Sequence, residues 1–522
     1  MLRILKRRKM YLPFFLLASI IFKFINIGFT NCISHDGIYY LNFAKSFLEG
    51  NYKEYINNEF IPFFYPFLVV ATNFIVHDLE MSGQVVSAIA GTGMIVIMYI
   101  IGKNFFDYRI GVLMGLMTLI SPLFNRSSSK VMTDMLYAFL YTWAIYNGWR
   151  MSQDPKVKFI FLFSILAALS YYTRPEGLGL IIVIGFWLIY TILSSQDNLN
   201  IKRVLSLFVS VTLFSVLIFP QLYIIHEKTG GWTFSAKTSY MIRKIPGIKQ
   251  SSREIKEERD IYIKEGGFGG ILSKYPHLLI KKTIVNICKY FLDIPKVMGF
   301  ILMIPFIIGI GYRKRIPYKK KEELFCLFII IFNIIIFSLF KEKMRHLISV
   351  LPFLYIWCSI GFLELYFFLQ NKNIFSLKKE KVIALSMSLI IVGILPQTFR
   401  PVFKNGYIFY WGPEKIAGHW IRRNIPSQKS FMSWRSDEVL FYAGINKHLS
   451  VPKDGFYSVI MRLARNLKIN YLVMNNNPHF KSIKSKGADF FRNIDNKALS
   501  LIYRLKLPHS KSEILIYKFN FS

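Results

Sequence analysis

The chain has 522 residues, of which 53% are hydrophobic and 17% aromatic, and it carries a formal net charge of +36 at pH 7. Such hydrophobicity with so few acidic residues excludes an ordinary soluble domain. The excess of Lys and Arg does not indicate nucleic-acid binding, because basic cytoplasmic loops and attraction to anionic lipid head groups account for it. The 4 cysteines predict neither a disulfide framework nor a metal cluster.

Apolar runs of about 17–25 residues recur along the chain, which is the length that a helix needs to cross a bilayer. Because every backbone amide must be satisfied within lipid, these runs are predicted to be helices and not strands. The first run follows five basic residues and no small-residue cleavage site succeeds it, which favours a retained signal anchor. We predict transmembrane spans at about 11–29, 84–102, 109–123, 133–149, 159–172, 176–193, 204–224, 297–312, 324–340, 346–368 and 382–398.

The charge of the short loops predicts the orientation of these spans. Every short loop that would face inward with a cytoplasmic N-terminus is basic, as the positive-inside rule requires. The odd number of spans then places the C-terminus outside. Two long loops, about 30–83 and 226–296, face outward, and their length exempts the basic second loop from the charge rule. Within the first, Pro62–Val76 reads as an interfacial helix; if it crosses instead, the topology changes by one span.

From about residue 401 to residue 522 the composition becomes that of a soluble domain. Apolar residues at helical spacing predict helices at Pro413–Asn424 and Tyr457–Leu467. Strands are predicted at Ser430–Trp434, Tyr471–Met474 and Ile514–Phe519. The predicted fold class is therefore an α-helical polytopic membrane protein over residues 1–400, with a small extracytoplasmic α/β domain over 401–522.

Three acidic residues lie beside predicted spans. A carboxylate in a span is costly, about 2.5–3.5 kcal/mol for a central Asp, so such residues are candidates for function. Asp36 follows the first span, Asp134 opens the fourth, and Glu176 lies in the turn after the fifth, so all three are predicted at the outer face. Plainer interpretations stay open: a turn for Asp36, a helix cap for Asp134, and an ion pair with Arg174 for Glu176.

Two further positions are candidates for binding. Arg345 and His346 lie at the outer ends of the ninth and tenth predicted spans. A planar arginine fork suits a lipid phosphate, and a snorkelling interfacial arginine is the alternative. His35, beside Asp36, could ligate a divalent metal or could be a surface histidine.

The order of these residues resembles that of the GT-C glycosyltransferases, in particular the protein O-mannosyltransferases and the lipid A aminoarabinose transferases. No single stretch is diagnostic, but their order and predicted membrane side agree over most of residues 11–370. The stretches that carry the resemblance are Asp36 with Tyr39 and Tyr40, Pro62 to Pro66, Thr133-Asp134, Thr173 to Gly177, and Arg345-His346 followed by Leu351-Pro352.

The resemblance implies an inverting enzyme that moves a sugar from a polyprenyl-phosphate carrier to a glycan, lipid or protein acceptor at the outer face of the plasma (bacterial inner) membrane. Many relatives have Asp-Glu where this chain has Asp36-Gly37. Whether a second carboxylate takes part, and whether His35 and Asp36 hold a divalent metal, therefore stays open. The Trp-Trp-Asp signature of oligosaccharyltransferases is absent from the C-terminal part, which favours transfer of a single sugar. The implied site comprises Asp36 and Asp134 as catalytic residues, Arg174 and Arg345 at the donor phosphate, and Glu176, Tyr39, Tyr40 and His346 in support.

The chemistry of the residues agrees with this implication. A lipid phosphate leaves as an anion, so the reaction needs positive charge in a site of low dielectric constant rather than a general acid. The acceptor hydroxyl needs a base, which Asp36 could provide. Two other classes stay open. A transporter or flippase for a lipid-linked glycan would usually hold its charges near the midplane on repeated halves. A non-catalytic assembly protein would use the external domain to bind partners.

Overall fold

A computed structural model describes most of the chain. The residues that it describes are 11–28, 30, 32–51, 62–194, 198–229, 232–235, 267–314, 316, 318–340, 343–371, 412–434, 436–445, 448–451, 457–476, 498–507 and 513–521. The predicted span at 382–398 and much of the second long loop lie outside these residues. By its internal contacts the chain divides into two compact units, Met1–Asn26 with Phe43–Phe399, and Ile27–Asn42 with Arg400–Ser522.

The first unit is built of helices. They are α1 (Tyr11–Gly28), α2 (His35–Leu48, which begins in the second unit), α3 (Phe64–Val76), α4 (Leu79–Phe105), α5 (Tyr108–Ile120), α6 (Pro122–Ser128), α7 (Thr133–Gln153), α8 (Val157–Thr173), α9 (Gly179–Ser194), α10 (Asn200–Thr229), α11 (Gly267–Lys274), α12 (Pro276–Met298), α13 (Met303–Gly311), α14 (Lys320–Ser338) and α15 (Leu351–Asn371). Short 3-10 turns at Pro175–Leu178 and Met344–Ser349 precede α9 and α15.

Several helices of the first unit are suited to cross a membrane by length and composition. Among the described residues four qualify alone: Leu79–Phe105, Pro175–Ser194, Asn200–Lys228 and Leu351–Phe368. Two bent pairs qualify together, α5 with α6 at 58° and α12 with the helical stretch Phe300–Gly311 at 100°, which raises the count to six. The chain is therefore a multi-pass membrane protein, and the number of spans and their orientation stay predictions.

Two helices depart from the predicted pattern. The predicted outer loop 226–296 contains a 23-residue helix, α12, over its last part. Apolar and polar residues alternate with helical period along α12, so it lacks the continuous apolar run by which spans were recognised. The predicted span 109–123 breaks at Ser121, after which Pro122 starts α6. A proline at the first helical position lacks only an amide that would be unpaired there, so the chain can restart in a new direction.

Close helix packing in the first unit depends on glycine. A Cβ on Gly361 of α15 would lie 1.7 Å from the Pro305 carbonyl oxygen, and one on Gly309 of α13 would lie 1.9 Å from the Trp357 carbonyl oxygen. The two backbones therefore touch, as small residues allow between apolar helices. The contact between these two helices is reinforced by Glu364 of α15. Its carboxylate accepts hydrogen bonds from the backbone amides of Lys314 (3.2 Å) and Ile316 (2.6 Å).

The second unit contains a five-stranded mixed sheet of order β2-β1-β3-β5-β4. β1 pairs in parallel with β2 and β3, while β5 pairs antiparallel with β3 and β4. In chain order the elements are α16 (Pro413–Asn424), β1 (Phe431–Trp434), α17 (Asp437–Tyr442), β2 (Leu449–Ser450), α18 (Tyr457–Asn466), β3 (Tyr471–Asn476), β4 (Leu499–Lys506) and β5 (Glu513–Phe519). The predicted helices and strands coincide with five of these elements, and α17, β2 and β4 were not predicted.

Helices cover both faces of the sheet. Leu472 and Met474 of β3 pack with Ile460 of α18 on one face, while Val473 packs with Ile421 of α16 on the other. The alternation follows from the period of two in a strand. The domain therefore has an apolar layer on each side of a sheet that is itself buried at its centre.

Candidate active site

The turn between α8 and α9 is set by its sequence, Thr173-Arg174-Pro175-Glu176-Gly177. Pro175 disfavours helical geometry at the residue before it, and Arg174 accordingly has extended backbone angles (φ −151°, ψ 133°) and ends α8. Gly177 then closes the 3-10 turn, its amide donating to the Arg174 carbonyl at 2.9 Å. A Cβ on Gly177 would lie 2.4 Å from the Tyr171 nitrogen, so only glycine fits there. This turn projects Arg174 and Glu176 from adjacent positions.

Arg174 binds two carboxylates. Its Nε and Nη2 donate to Glu176 (3.3 Å to Oε2 and 2.8 Å to Oε1), and its Nη1 donates to Asp134 Oδ1. The Asp134 side chain is only 6% exposed. The helix-cap interpretation of Asp134 is wrong, since Met132 is the N-cap residue of α7 and the Asp134 carboxylate binds across to Arg174. The ion-pair interpretation of Glu176 is confirmed.

Arg345 approaches the Asp134 carboxylate from the 3-10 turn Met344–Ser349, which also carries His346. Arg345 Nη1 lies 4.0 Å from Asp134 Oδ2, and its side chain is 32% exposed, more than those of Arg174 and Asp134. His346 is buried, stacks on Phe337 (ring centroids 5.0 Å apart), and shares a 2.8 Å hydrogen bond between Nδ1 and the Tyr290 hydroxyl. Tyr290 belongs to α12 and was not predicted as a site residue.

A buried polar layer supports this cluster. Asn333 of α14 donates to the hydroxyl of Tyr141 on α7 at 2.9 Å, and Ser349 donates to Asn333 Oδ1 at 3.3 Å. These hydrogen bonds tie together the helix that carries Asp134 and the turn that carries Arg345. Because buried polar groups are costly unless they are paired, such a network holds its helices in one register.

The charges of the cluster nearly balance. Two arginines face two carboxylates, and both oxygens of Asp134 lie near a guanidinium. In a site of low dielectric constant these attractions are strong, and arginine does not lose its proton. The arrangement can therefore hold a carboxylate in a fixed orientation. It can also offer the more exposed guanidinium, that of Arg345, to an anion.

Asp36, Tyr39 and Tyr40 lie in the second unit, in the first turns of α2. The helix begins directly after Ser34, whose hydroxyl accepts a hydrogen bond from the Gly37 amide at 3.2 Å. Asp36 thus lies in the first turn of a helix, where the dipole favours negative charge. Asp36 is partly exposed, Tyr39 is exposed and Tyr40 is buried.

In the part of the chain that the structure describes, no further metal ligands are arranged around His35 and Asp36. Among the described residues no group of three or more His, Cys, Asp or Glu side chains is arranged to hold a metal ion. His35 Nδ1 instead lies 3.3 Å from Asp437 Oδ2.

Two buried charges in the first unit were also not predicted. Lys23 of α1 donates to Asn125 Oδ1 at 2.7 Å, and Glu364 is covered by two backbone amides. Both lie within apolar runs, and the cost of an unpaired charge there was the signal that could have indicated them.

A match to a known protein family covers part of this site. Residues 61–224, which include Asp134, Arg174 and Glu176, match the family model described as dolichyl-phosphate-mannose-protein mannosyltransferase. No curated protein sequence matches the chain significantly.

Solved structures match the chain over nearly its whole length. The oligosaccharyltransferase AglB from Archaeoglobus fulgidus, in complex with an inhibitory peptide and a dolichol-phosphate, has a TM-score of 0.56 at 13% identity, over 96% of this chain and 74% of that one. ArnT from Cupriavidus metallidurans in the apo state has a TM-score of 0.57 at 13% identity, over 96% of this chain and 97% of that one. The same enzyme bound to undecaprenyl phosphate has a TM-score of 0.52 at 13% identity, over the same shares.

At this identity the likeness establishes the fold. It agrees with the family match, which covers Asp134, Arg174 and Glu176 but not Arg345. The family match and the two structural neighbours, both GT-C glycosyltransferases, support membership in the GT-C superfamily, which confirms the resemblance noted in the sequence.

Proposed function

We propose that this protein transfers a single sugar from a polyprenyl-phosphate carrier to a hydroxyl group of a glycan, lipid or protein acceptor, with inversion, at the outer face of the bacterial inner membrane. The observation that carries the proposal is the cluster in which Arg174 and Arg345 flank the buried Asp134 carboxylate, within a GT-C fold. Two structural neighbours are described with dolichol-phosphate and undecaprenyl phosphate, which supports a lipid-phosphate donor.

The transfer step is a single displacement. The acceptor oxygen attacks the anomeric carbon while the bond from that carbon to the phosphate oxygen breaks, and the lipid phosphate leaves with the electron pair. Asp36 accepts the proton of the acceptor hydroxyl. Positive charge from Arg345 stabilises the departing phosphate, which needs no proton.

The two arginines have different tasks in this proposal. Arg174 is engaged by Asp134 and Glu176 on three of its nitrogens, so it chiefly orients carboxylates. Arg345 is more exposed and makes the longer contact, 4.0 Å, to Asp134. Its greater exposure makes it the guanidinium that an incoming phosphate can reach more readily. Asp134 would then hold Arg345 within reach of the donor.

Carrier binding tests the phosphate site without knowledge of the sugar. We expect undecaprenyl phosphate to raise the melting temperature of the detergent-purified protein, and undecaprenol, which lacks the phosphate, to do so much less. Arg345→Gln should abolish that difference. Arg150→Gln is the matched control, since Arg150 lies in the last turn of α7, at the opposite end from Asp134. Equal stabilisation by the alcohol and the phosphate would contradict the proposal.

Turnover tests the transfer itself. The purified protein is incubated with a panel of undecaprenyl-phosphate-linked hexoses and a cell-envelope extract, and released undecaprenyl phosphate is measured. Asp36→Asn should reduce release by roughly 100-fold or more, as expected for loss of a general base. Full activity of Asp36→Asn would remove that residue from the mechanism. Acceptor-independent movement of the carrier across proteoliposomes would favour a flippase instead.

A further inference from the structure

The stretch that carries Asp36 is attached to the sheet domain at its backbone. The Ile33 amide donates to the Tyr442 hydroxyl at 2.8 Å, and the Ile33 side chain is only 4% exposed. Both residues belong to the second unit, although 409 positions separate them in sequence. A buried amide must find a partner, so this hydrogen bond fixes the chain just before α2 begins.

A second attachment lies two residues further on. His35 Nδ1 is 3.3 Å from Asp437 Oδ2, and the His35 ring meets Tyr39 edge to face, with ring centroids 5.2 Å apart. His35 directly precedes Asp36 in the first turn of α2. With the chain held at both Ile33 and His35, the start of the helix cannot rotate without breaking one of these contacts.

The Asp437 carboxylate is oriented from the domain side. Its Oδ1 accepts from the Ser433 hydroxyl at 2.5 Å and faces His448 Nε2 at 2.9 Å, which leaves Oδ2 toward His35. This is not a hydrolytic triad, because the serine and the histidine both bind the carboxylate rather than each other. Ser433 and His448 both bind the carboxylate that faces His35, so the group orients that carboxylate.

Tyr442 is likewise held in place. It is buried, Lys415 Nζ lies 5.0 Å from the centre of its ring, and α16 approaches it so closely that a Cβ on Gly418 would lie 2.5 Å from Tyr442 Cβ. The hydroxyl that receives the Ile33 amide is therefore presented by a rigid part of the domain.

We propose that Asp437 and Tyr442 are positioning residues for sugar transfer, and that the sheet domain acts in the reaction by holding the first turn of α2 in the orientation that the Asp36 carboxylate requires. This inference rests on the proposed role of Asp36 as the base. It gives the domain a task that acceptor binding alone would not require. A displacement of about 1 Å at a catalytic group can cost roughly 100-fold in rate, so two attachments next to Asp36 are significant.

The first experiment measures release of the loop independently of turnover. Cys32 is partly exposed and adjoins Ile33, Cys288 is exposed, and Cys326 and Cys358 are buried. In a Cys288→Ser background, alkylation of Cys32 by a maleimide should accelerate several-fold in the double variant His35→Gln with Tyr442→Phe. The control double variant, Glu513→Gln with Tyr503→Phe, introduces the same two residues, Gln and Phe, on β5 and β4 and should leave the alkylation rate unchanged. Unchanged alkylation in the first double variant would overturn the attachment, whatever the enzyme does.

The second experiment links the attachment to Asp36. At equal amounts of folded protein, His35→Gln with Tyr442→Phe should lower kcat by roughly 10- to 100-fold while the KM for the donor changes little. In an Asp36→Glu background, where the carboxylate is already displaced by a methylene group, the same double variant should cost much less. Equal losses in both backgrounds would mean a structural role and overturn the positioning proposal. If Asp36 variants are fully active, the proposed base is wrong, yet the alkylation result still reports on the attachment.

Discussion

The two clusters that hold carboxylates in this protein differ in the basic residues that face those carboxylates. In the first unit, Asp134 and Glu176 are held by Arg174, with Arg345 nearby. In the second, Asp437 is held by His35 and His448. An arginine stays charged at any physiological pH, so the first cluster is a permanent electrostatic framework. The second is centred on the Asp437 carboxyl, which loses its charge on acidification.

The largest effect should come from breaking the permanent cluster. Arg174→Met leaves the buried Asp134 and the partly buried Glu176 without their main partner, which we expect to cost about 3–5 kcal/mol of unfolding free energy. The measurement is the thermal midpoint of the detergent-purified chain. Arg504→Met is the control, since Arg504 is 64% exposed in its pair with Glu513 and should cost about 0–1 kcal/mol. Similar losses in the two variants would contradict the contrast between a buried and an exposed pair.

Two glycines allow close backbone packing beside the clusters, and replacing them should give the next largest effect. A Cβ on Gly177 would lie 2.4 Å from the Tyr171 nitrogen, and one on Gly418 would lie 2.6 Å from the Val439 oxygen. Each alanine variant should cost about 1–3 kcal/mol, because backbone atoms must move. Gly177→Ala should lower carrier binding without changing Cys32 alkylation. Gly418→Ala should accelerate Cys32 alkylation without changing carrier binding. Gly269→Ala is the control, since nothing lies within 4 Å of its added methyl group.

The histidine-held cluster should make the second unit sensitive to acid. Hydrogen bonds from His448 and Ser433 hold the pKa of the Asp437 carboxyl below its usual value. A lowered pKa stabilises the fold fully above the carboxyl's unfolded pKa, and this stabilisation is lost as the pH falls through the folded value. Burial raises the pKa of nearby Glu438, which acts in the opposite sense.

We therefore expect Asp437→Asn to be destabilising at pH 7 and to flatten the loss of stability on acidification below about pH 5. Glu438→Gln should make that acid loss steeper, because it removes the opposing contribution. Heat-induced proteolysis of the second unit, measured from pH 7 to pH 3, reports both slopes. The groups that face Asp437 are His35, His448 and Ser433, with Glu438 beside it. Parallel pH curves for wild type and Asp437→Asn would exclude this carboxylate as the source.

The smallest expected effect concerns the hydroxyl that holds His346. Tyr290→Phe removes the 2.8 Å hydrogen bond to His346 Nδ1 and should cost about 0.5–1.5 kcal/mol. Tyr366→Phe is the control, because that buried hydroxyl makes no hydrogen bond to any described residue. If both variants have the same melting temperature, the Tyr290 hydroxyl adds no stability beyond the packing of its ring.

Local chemistry made part of the candidate site predictable. The Arg174-Pro175 junction and Gly177 dictate a tight turn from residues adjacent in sequence, and the cost of acids beside apolar runs indicated Asp134 and Glu176. Tyr290 could not be found in this way. It lies on α12, whose mixed polar and apolar pattern resembles a surface loop, and a tyrosine becomes a partner of His346 only when two distant helices meet.

The sequence by itself determined that the chain is a membrane protein. It also determined approximately where most helices begin and end, and the three strands at the centre of the sheet. Apolar runs, prolines and the period of two act through neighbouring residues, so these features can be inferred without coordinates. Only the tertiary structure decided that residues 27–42 join the sheet domain, through Ile33 with Tyr442 and His35 with Asp437. Such contacts join residues some 400 positions apart, and no local pattern encodes which distant group will satisfy a buried amide or carboxylate.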